Sequence, residues 1–453
     1  MYQGGFLLKN RFKSGLVLLV CLAIAGLFFG CSKEKQQAAT DVITIKTWNK
    51  PAPGDPSIEL REQLIKKFEE QNPGIKVVDE YRGAGVDYRR DFLTAMRGGE
   101  GPDLWLAPTM DVPTYIAEGL TADITEFVNK WSNKDKVYPT LWEGIESDGK
   151  YYGVPNGSYV MTLFYRKDLF EQAGLDPNQP PKNWDELVEY AKRLTEPSKP
   201  QFGFGLLGMD WCAWHWMNFV WQAGGEMVVQ EEDGSWKAAF DSPAGEQALA
   251  FYHDLRWKHG VVQADVLAAY DDLIRDFATG RIAMMFFAPE MYQQMRRKYG
   301  MKAEVLGIAP LPAGPTGIKA AQMGGNSWII NPNKPKKVQE AAWKLIEFLL
   351  DEESIIETWK FNEEHDLLTP ANSIYQDLNQ ADYVKIPSDW SEAMGEGIKF
   401  GRPEPNSPKW DQVKQYLVTP IQTTLTNKNA TNYKKLLADC ARKVNVELFG
   451  QKQ

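Results

Sequence analysis

From Val42 to Trp48 the chain sets β-branched residues in an alternating pattern, the two-residue period of a half-buried strand. Residues 57–71 then place apolar side chains at 58, 60, 64, 65 and 68, which is helical spacing, with Ser57 in position to cap the helix. Asn72-Pro-Gly closes that helix and Ile75-Lys-Val-Val reads as a second strand. Strand, helix, strand is a βαβ unit, and such a unit favours a parallel sheet covered by helices. A second helix over 86–97 leads through Gly98-Gly-Glu-Gly-Pro to a third strand, Asp103-Leu-Trp-Leu-Ala. The opening of the fold is therefore α/β.

The remaining length sets the scale. With 453 residues the chain makes about three average domains or two large ones, enough to bury a core without metal or disulfide staples. Its 43% hydrophobic content excludes a disordered chain, and 60 acidic against 51 basic residues argues against a nucleic-acid partner. Sixteen Trp are unusual and call for either a core or a ligand to cover their faces.

Lys9, Arg11 and Lys13 precede an uncharged run from Ser14 to Ser32, the layout of a secretory signal. The run ends in Gly30-Cys31-Ser32 and resembles a bacterial lipoprotein signal, in which the Cys receives lipid and becomes the mature N-terminus. On this reading 1–30 is the signal peptide, Cys31 is the lipidation site, 31–40 is a lipidated polar tether, and the protein is held at a membrane outside the cytoplasm. Loss of the basic signal takes the net charge from −9 to −12. Cys212 and Cys440, 228 positions apart, are expected as buried thiols rather than a pair.

Ile43-Thr-Ile-Lys-Thr-Trp, Phe68-Glu-Glu-Gln-Asn-Pro-Gly-Ile-Lys-Val and Gly101-Pro-Asp-Leu-Trp stand in an order that resembles the family 1 extracellular solute-binding proteins, the sugar-binding components of ABC importers. The series continues with Asp148-Gly-Lys-Tyr-Tyr-Gly-Val-Pro, Leu163-Phe-Tyr-Arg-Lys-Asp-Leu-Phe, Pro181-Lys-Asn-Trp-Asp-Glu-Leu, Phe277-Ala-Thr-Gly-Arg-Ile-Ala-Met-Met, Gly324-Gly-Asn-Ser-Trp and Gly401-Arg-Pro. The resemblance implies a type II periplasmic-binding-protein-like α/β fold: two hinge-linked lobes with a ligand cleft between them. Lobe one is expected over 41–155 plus 307–355, and lobe two over 156–306 plus 356–453. Apart from the family, Asn183 and Glu186 form an approximate capping box, and Ser242 before Pro243 is a helix start.

A sugar site needs aromatic faces against C–H surfaces and planar polar groups for hydroxyls. Under the resemblance the candidates at strand ends are Trp48 and Asn49, Arg82, Thr109 and Met110, with Asn156 at the first crossing between lobes. Trp211 and Trp214, three apart on an expected helix, would share one face. Phe287-Ala-Pro-Glu290 stands where the family usually has Gly and Trp, which leaves Glu290 as a hydroxyl acceptor. Asn326, Trp328 and Arg402 complete the set.

The implied partners are a carbohydrate, an ABC permease with its ATPase, and a lipid anchor; a monomer is expected. No catalytic residue, cofactor or metal is called for. Gly203-Phe-Gly-Leu-Leu-Gly208 matches a dinucleotide fingerprint literally but lies outside a βαβ opening, and the four His have no zinc-site spacing. Two other readings keep a sugar ligand: a secreted glycoside hydrolase with paired carboxylates, and a sugar receptor without transport.

Overall fold

The structure is a computed structural model that describes residues 42–82, 85–209 and 211–451. The signal, Cys31 and the tether lie outside the described residues. β1 (Ile43–Thr47), α1 (Ser57–Gln71), β2 (Ile75–Asp79), α2 (Gly85–Arg97) and β3 (Leu104–Pro108) follow the expected order. β1 runs parallel to β2 from Ile43↔Ile75 to Thr47↔Asp79, and parallel to β3 at Thr47↔Leu104. Leu60, Leu64 and Phe68 form the buried stripe of α1, as the spacing requires. The start of α1 differs from expectation. Ser57 is the first helical residue, and the Asp55 carboxylate accepts from its N–H at 2.9 Å and its hydroxyl at 2.6 Å, because an Asp two residues upstream closes an Asx turn there.

Six later strands position the rest: β4 (Val154–Val160), β5 (Thr162–Arg166), β6 (Met284–Phe287), β7 (Leu306–Pro310), β8 (Ala321–Ile330) and β9 (Gly401–Arg402). β8 joins the first sheet antiparallel to β3, pairs antiparallel with β4, and carries β9 in parallel at its start. β5 forms the centre of a second sheet, antiparallel to both β6 and β7. Each sheet carries a main core, and the second sheet has a further cluster of Phe164, Phe277, Met285, Phe287 and Ile308 on its other face. One main core gathers Ile45, Phe68, Trp105, Ile329, Ile330 and Trp343; the other gathers Phe170, Trp184, Trp216, Phe219, Tyr252 and Phe286. Trp184 stacks on Phe251 at 4.3 Å and donates its indole N–H to Gln222 at 2.8 Å, so both its face and its polar edge are satisfied by packing.

β4 and β8 span both cores. Val154 belongs to the first and Val160 to the second, while β8 begins at Ala321 in the second and ends at Ile330 in the first. The sheet assignments differ in two places from the boundaries expected for the lobes. β7 pairs with β5, so 306–310 lies in the second sheet. Trp359, Tyr375, Val384 and Ile398 pack into the first core although they follow residue 355, because the chain returns there before entering the helix Trp410–Thr426.

The other two expected caps form. Asn183 Oδ1 accepts from the Glu186 N–H at 2.9 Å while Glu186 accepts from the Lys182 N–H at 2.8 Å, and Ser242 Oγ accepts from the Gly245 N–H at 3.3 Å. Cys212 and Cys440 are both buried thiols, and burial pushes Cys440 up to about 12.

Candidate functional site

The β4–β8 pair that links the cores also floors a cleft of about 680 Å³, within the usual range for small-molecule sites. The floor is thin for a steric reason. A Cβ at Gly325 would stand 2.1 Å from the Gly157 carbonyl oxygen, and one at Gly324 would stand 2.5 Å from the Tyr159 hydroxyl. Only glycine lets the strands approach this closely. The register slips between Asn326 and Ser327, a bulge that sits beside the cleft.

Side chains reach the cleft from both cores. After β3 a single 3₁₀ turn, Thr109–Asp111, presents Thr109 and Met110, and Thr109 Oγ1 lies 2.8 Å from Ser327 Oγ. From β4 and β8 come Ser158, Tyr159, Gln322 and Asn326. Glu290 follows β6 at the start of the helix Met291–Tyr299, and Arg402 and Glu404 follow from β9.

The polar groups are unevenly paired. The Tyr159 hydroxyl accepts from Gln322 Nε2 at 3.2 Å and from the Trp214 side chain, and burial raises its pKa. Arg402 donates to both Glu226 oxygens, at 2.7 and 3.0 Å, and its guanidinium lies 4.8 Å from the Trp221 ring centroid. Glu404 accepts from Lys414 at 2.7 Å and from the Trp410 indole. Burial raises the pKa of Glu290 and of Glu143, the latter opposed by Arg402.

The twelve sequence candidates separate into three groups. Thr109, Met110, Glu290, Asn326 and Arg402 line the cleft. Asn49, Asn156 and Trp328 line a neighbouring hollow of about 360 Å³, which meets the cleft at Gly157; there the Trp328 indole donates to Asn156 at 2.7 Å. Trp48, Arg82, Trp211 and Trp214 line neither. Trp48 is buried in the first core with the Arg82 guanidinium 4.9 Å from its ring centroid, so core and cation cover its faces. Trp211 is not on the helix that was expected to carry it. It precedes the helix Cys212–Gln222 with φ 71°, and its ring, 63% exposed, packs edge-on against Trp214.

Gln322, Tyr159, Glu143 and Glu404 also line the cleft and were not singled out from the sequence. Two of them carry a readable signal: Tyr159 follows Gly157 by two, and Gln322 precedes Gly324 by two, the spacing that returns a strand side chain to the same face. Among the described residues no cluster of three or more His, Cys, Asp or Glu suits a metal ion. His215 is buried, and burial pushes it down to about 3, so it stays neutral.

The model of the bacterial extracellular solute-binding protein family matches residues 54–355. The chain belongs to that family. As such it is a binding component of an ABC importer, which delivers solutes to the permease, and not an enzyme. A binding protein of Brucella abortus strain 2308 is 27% identical over 396 residues, covering 85% of this chain and 89% of the relative. The sn-glycerol-3-phosphate-binding periplasmic protein UgpB of Salmonella typhimurium LT2 is 26% identical over 335 residues, 70% of this chain and 73% of UgpB. An ABC transporter solute-binding protein from Thermotoga lettingae TMO, solved bound with α-D-tagatose, is 28% identical with a TM-score of 0.69, covering 89% of this chain and 99% of that one. The two-lobed fold of these solute-binding proteins accounts for the two cores and the strands shared between them. Among the described residues no helix is long and apolar enough to cross a membrane.

Proposed function

We propose that the protein captures a carbohydrate in this cleft and hands it to the permease of an ABC importer, held by lipid on Cys31 to a membrane outside the cytoplasm. The cleft lining carries the reading: hydroxyl, amide and carboxylate groups of Thr109, Ser158, Tyr159, Gln322, Asn326 and Glu290 surround the paired glycines of a link between two cores. Such groups match the many hydroxyls of a sugar, and the tagatose bound by the Thermotoga protein supports the same class.

Two lobes divided at 156–158 and inside β8 at 321–323, with a further crossing near 400, would close over that sugar and give the permease a shape distinct from the empty form. The test is thermal unfolding of the purified full chain against a panel of mono- and oligosaccharides. A ligand at 100 times its Kd adds about 2.7 kcal/mol of stability, an easily read shift. Shifts with peptides or polyamines and none with saccharides would refute the carbohydrate class. For the anchor, Cys31→Ser should abolish acyl labelling; unchanged labelling would remove Cys31 from the role.

A further inference from the structure

The charges and hydrogen-bonding groups of the cleft are one-sided. Glu143, Glu290 and Glu404 line it against a single cation among the described lining residues, Arg402, and Arg402 is already doubly bonded to Glu226. Glu404 has Lys414 as its partner. Glu290 is different: it is half-buried, its carboxylate accepts only its own backbone N–H, and no Lys or Arg stands within ion-pair distance of it among the described residues. A buried carboxylate normally has a cation or several donors around it, because desolvation of an unpaired charge is costly.

A second, independent observation comes from the floor. Gln322 is 1% exposed and lines the cleft, yet its amide is half satisfied. Nε2 donates to Tyr159 and to the Met323 carbonyl at 3.0 Å, while Oε1 has no donor. Buried amide oxygens in folded proteins almost always have a donor. The buried groups left without a partner here are Gln322 Oε1, which only accepts, and the Ser158 hydroxyl, which accepts as well as donates, and the carboxylates around them accept, so the missing partner is chiefly a donor. A phosphate brings only acceptors and negative charge; an ammonium brings three donors and positive charge.

We propose that the cleft selects an ammonium-bearing sugar, an amino sugar, over its uncharged parent and excludes the phosphorylated counterpart, with Glu290 receiving the ammonium. This rests on the carbohydrate reading and goes beyond it, because it fixes the sign of the ligand's charge. It also separates this chain from UgpB, whose name specifies a phosphate ester.

The experiment is calorimetric titration of the purified full chain with matched triplets: glucose, glucosamine and glucose 6-phosphate; the galactose and mannose equivalents; and cellobiose beside chitosan disaccharide. The expected result is one ring series in which the amino member binds at least about tenfold tighter than the parent, a difference in the range of a single buried charge pair. In the same series the phosphate ester does not bind. Glu290→Gln should bring amino and parent members within about twofold of each other, and a circular-dichroism spectrum and melting temperature matching the parent protein show that the variant is folded. Glu143→Gln, farther out on the same lining, should keep part of the preference.

A parent sugar that binds as tightly as its amine, or a phosphate ester that binds at all, would overturn the charge assignment and leave the carbohydrate reading standing. Absence of binding by every saccharide would overturn both.

Discussion

Arg89 and Asp411 form an ion pair at 3.8 Å between the two cores: Arg89 lies on α2, whose Phe92 and Met96 are buried in the first, and Asp411 begins the helix whose Val413 and Leu417 are buried in the second. Arg89 also holds Asp111 at 2.6 Å, one residue beyond the cleft-lining Met110, and Asp411 is shared with Lys414 at 2.9 Å. Asp411 is largely exposed, so the pair contributes about 0–1 kcal/mol to stability. Its effect should instead appear in closure. Asp411→Asn is expected to leave the melting temperature nearly unchanged, to weaken sugar binding about two- to fivefold by removing one contact that favours the closed form, and to reduce the salt sensitivity of binding. Equal affinities for both proteins at low salt would remove the pair from any role in closure.

Asp111 makes stability depend on pH. Burial pushes its carboxyl up to about 6, with Arg89 pulling it down and Asp411 pushing it further up. The ordinary value is 3.8, so between the two values the folded protein holds a proton that the unfolded chain has released. The stabilising contribution is therefore complete below about pH 4 and is lost as pH rises through about 6. Urea unfolding across pH 4–7 should show Asp111→Asn with a flatter profile than the parent in this window, the parent losing more stability on going up. Parallel profiles would mean that the carboxyl titrates normally.

The opening βαβ unit was legible because its signals are local: the spacing of Leu60, Leu64 and Phe68 and the closing Asn72-Pro-Gly need no tertiary information. The same holds for Asn183 and Ser242 as caps. The site was legible only in part. Glu290 and Arg402 were found through the family pattern, but Gln322 and Tyr159, whose spacing from Gly324 and Gly157 marks a shared strand face, matter because β4 and β8 pair, and that contact between residues 163 positions apart is not written in either segment alone. Trp48 and Trp328 misled for the opposite reason. Trp48 follows a strand as a ligand-binding aromatic would, yet it is enclosed by the core, and Trp328 lies within β8 with its indole engaged by Asn156.

The glycines of β8 offer a direct test of the floor. At Gly325 an added Cβ would collide with the Gly157 carbonyl at 2.1 Å, backbone against backbone, where neither strand can yield without breaking the ladder. Gly325→Ala should cost about 1–3 kcal/mol, the usual penalty of overpacking, read as a lowered urea midpoint. Gly157→Ala is the control, since nothing lies within 4 Å of a Cβ there. It should change the midpoint little, and similar losses for both would mean that strand propensity rather than close approach is responsible.

Trp211 separates a ligand contact from a packing residue. Its φ of 71° is a conformation that costs an L-residue about 1–2 kcal/mol, and its exposed ring recovers little of that by burial. The ring leans on Trp214 at 6.0 Å and Tyr270 at 5.8 Å, and Tyr270 in turn lies close enough to Glu290 to feel its charge. The ring lines neither the cleft nor the hollow beside it, so a stacking role requires it to swing over the sugar on closure, and it is expected to do so. Trp211→Gly removes the ring and relieves the backbone together, so the melting temperature should stay level or rise while sugar affinity falls about tenfold. Trp214→Ala should do the reverse in stability, losing about 3–5 kcal/mol, because its ring is buried. If Trp211→Gly binds sugar as well as the parent, the ring does not reach the ligand and the aromatic face of the site must be sought elsewhere on the cleft wall.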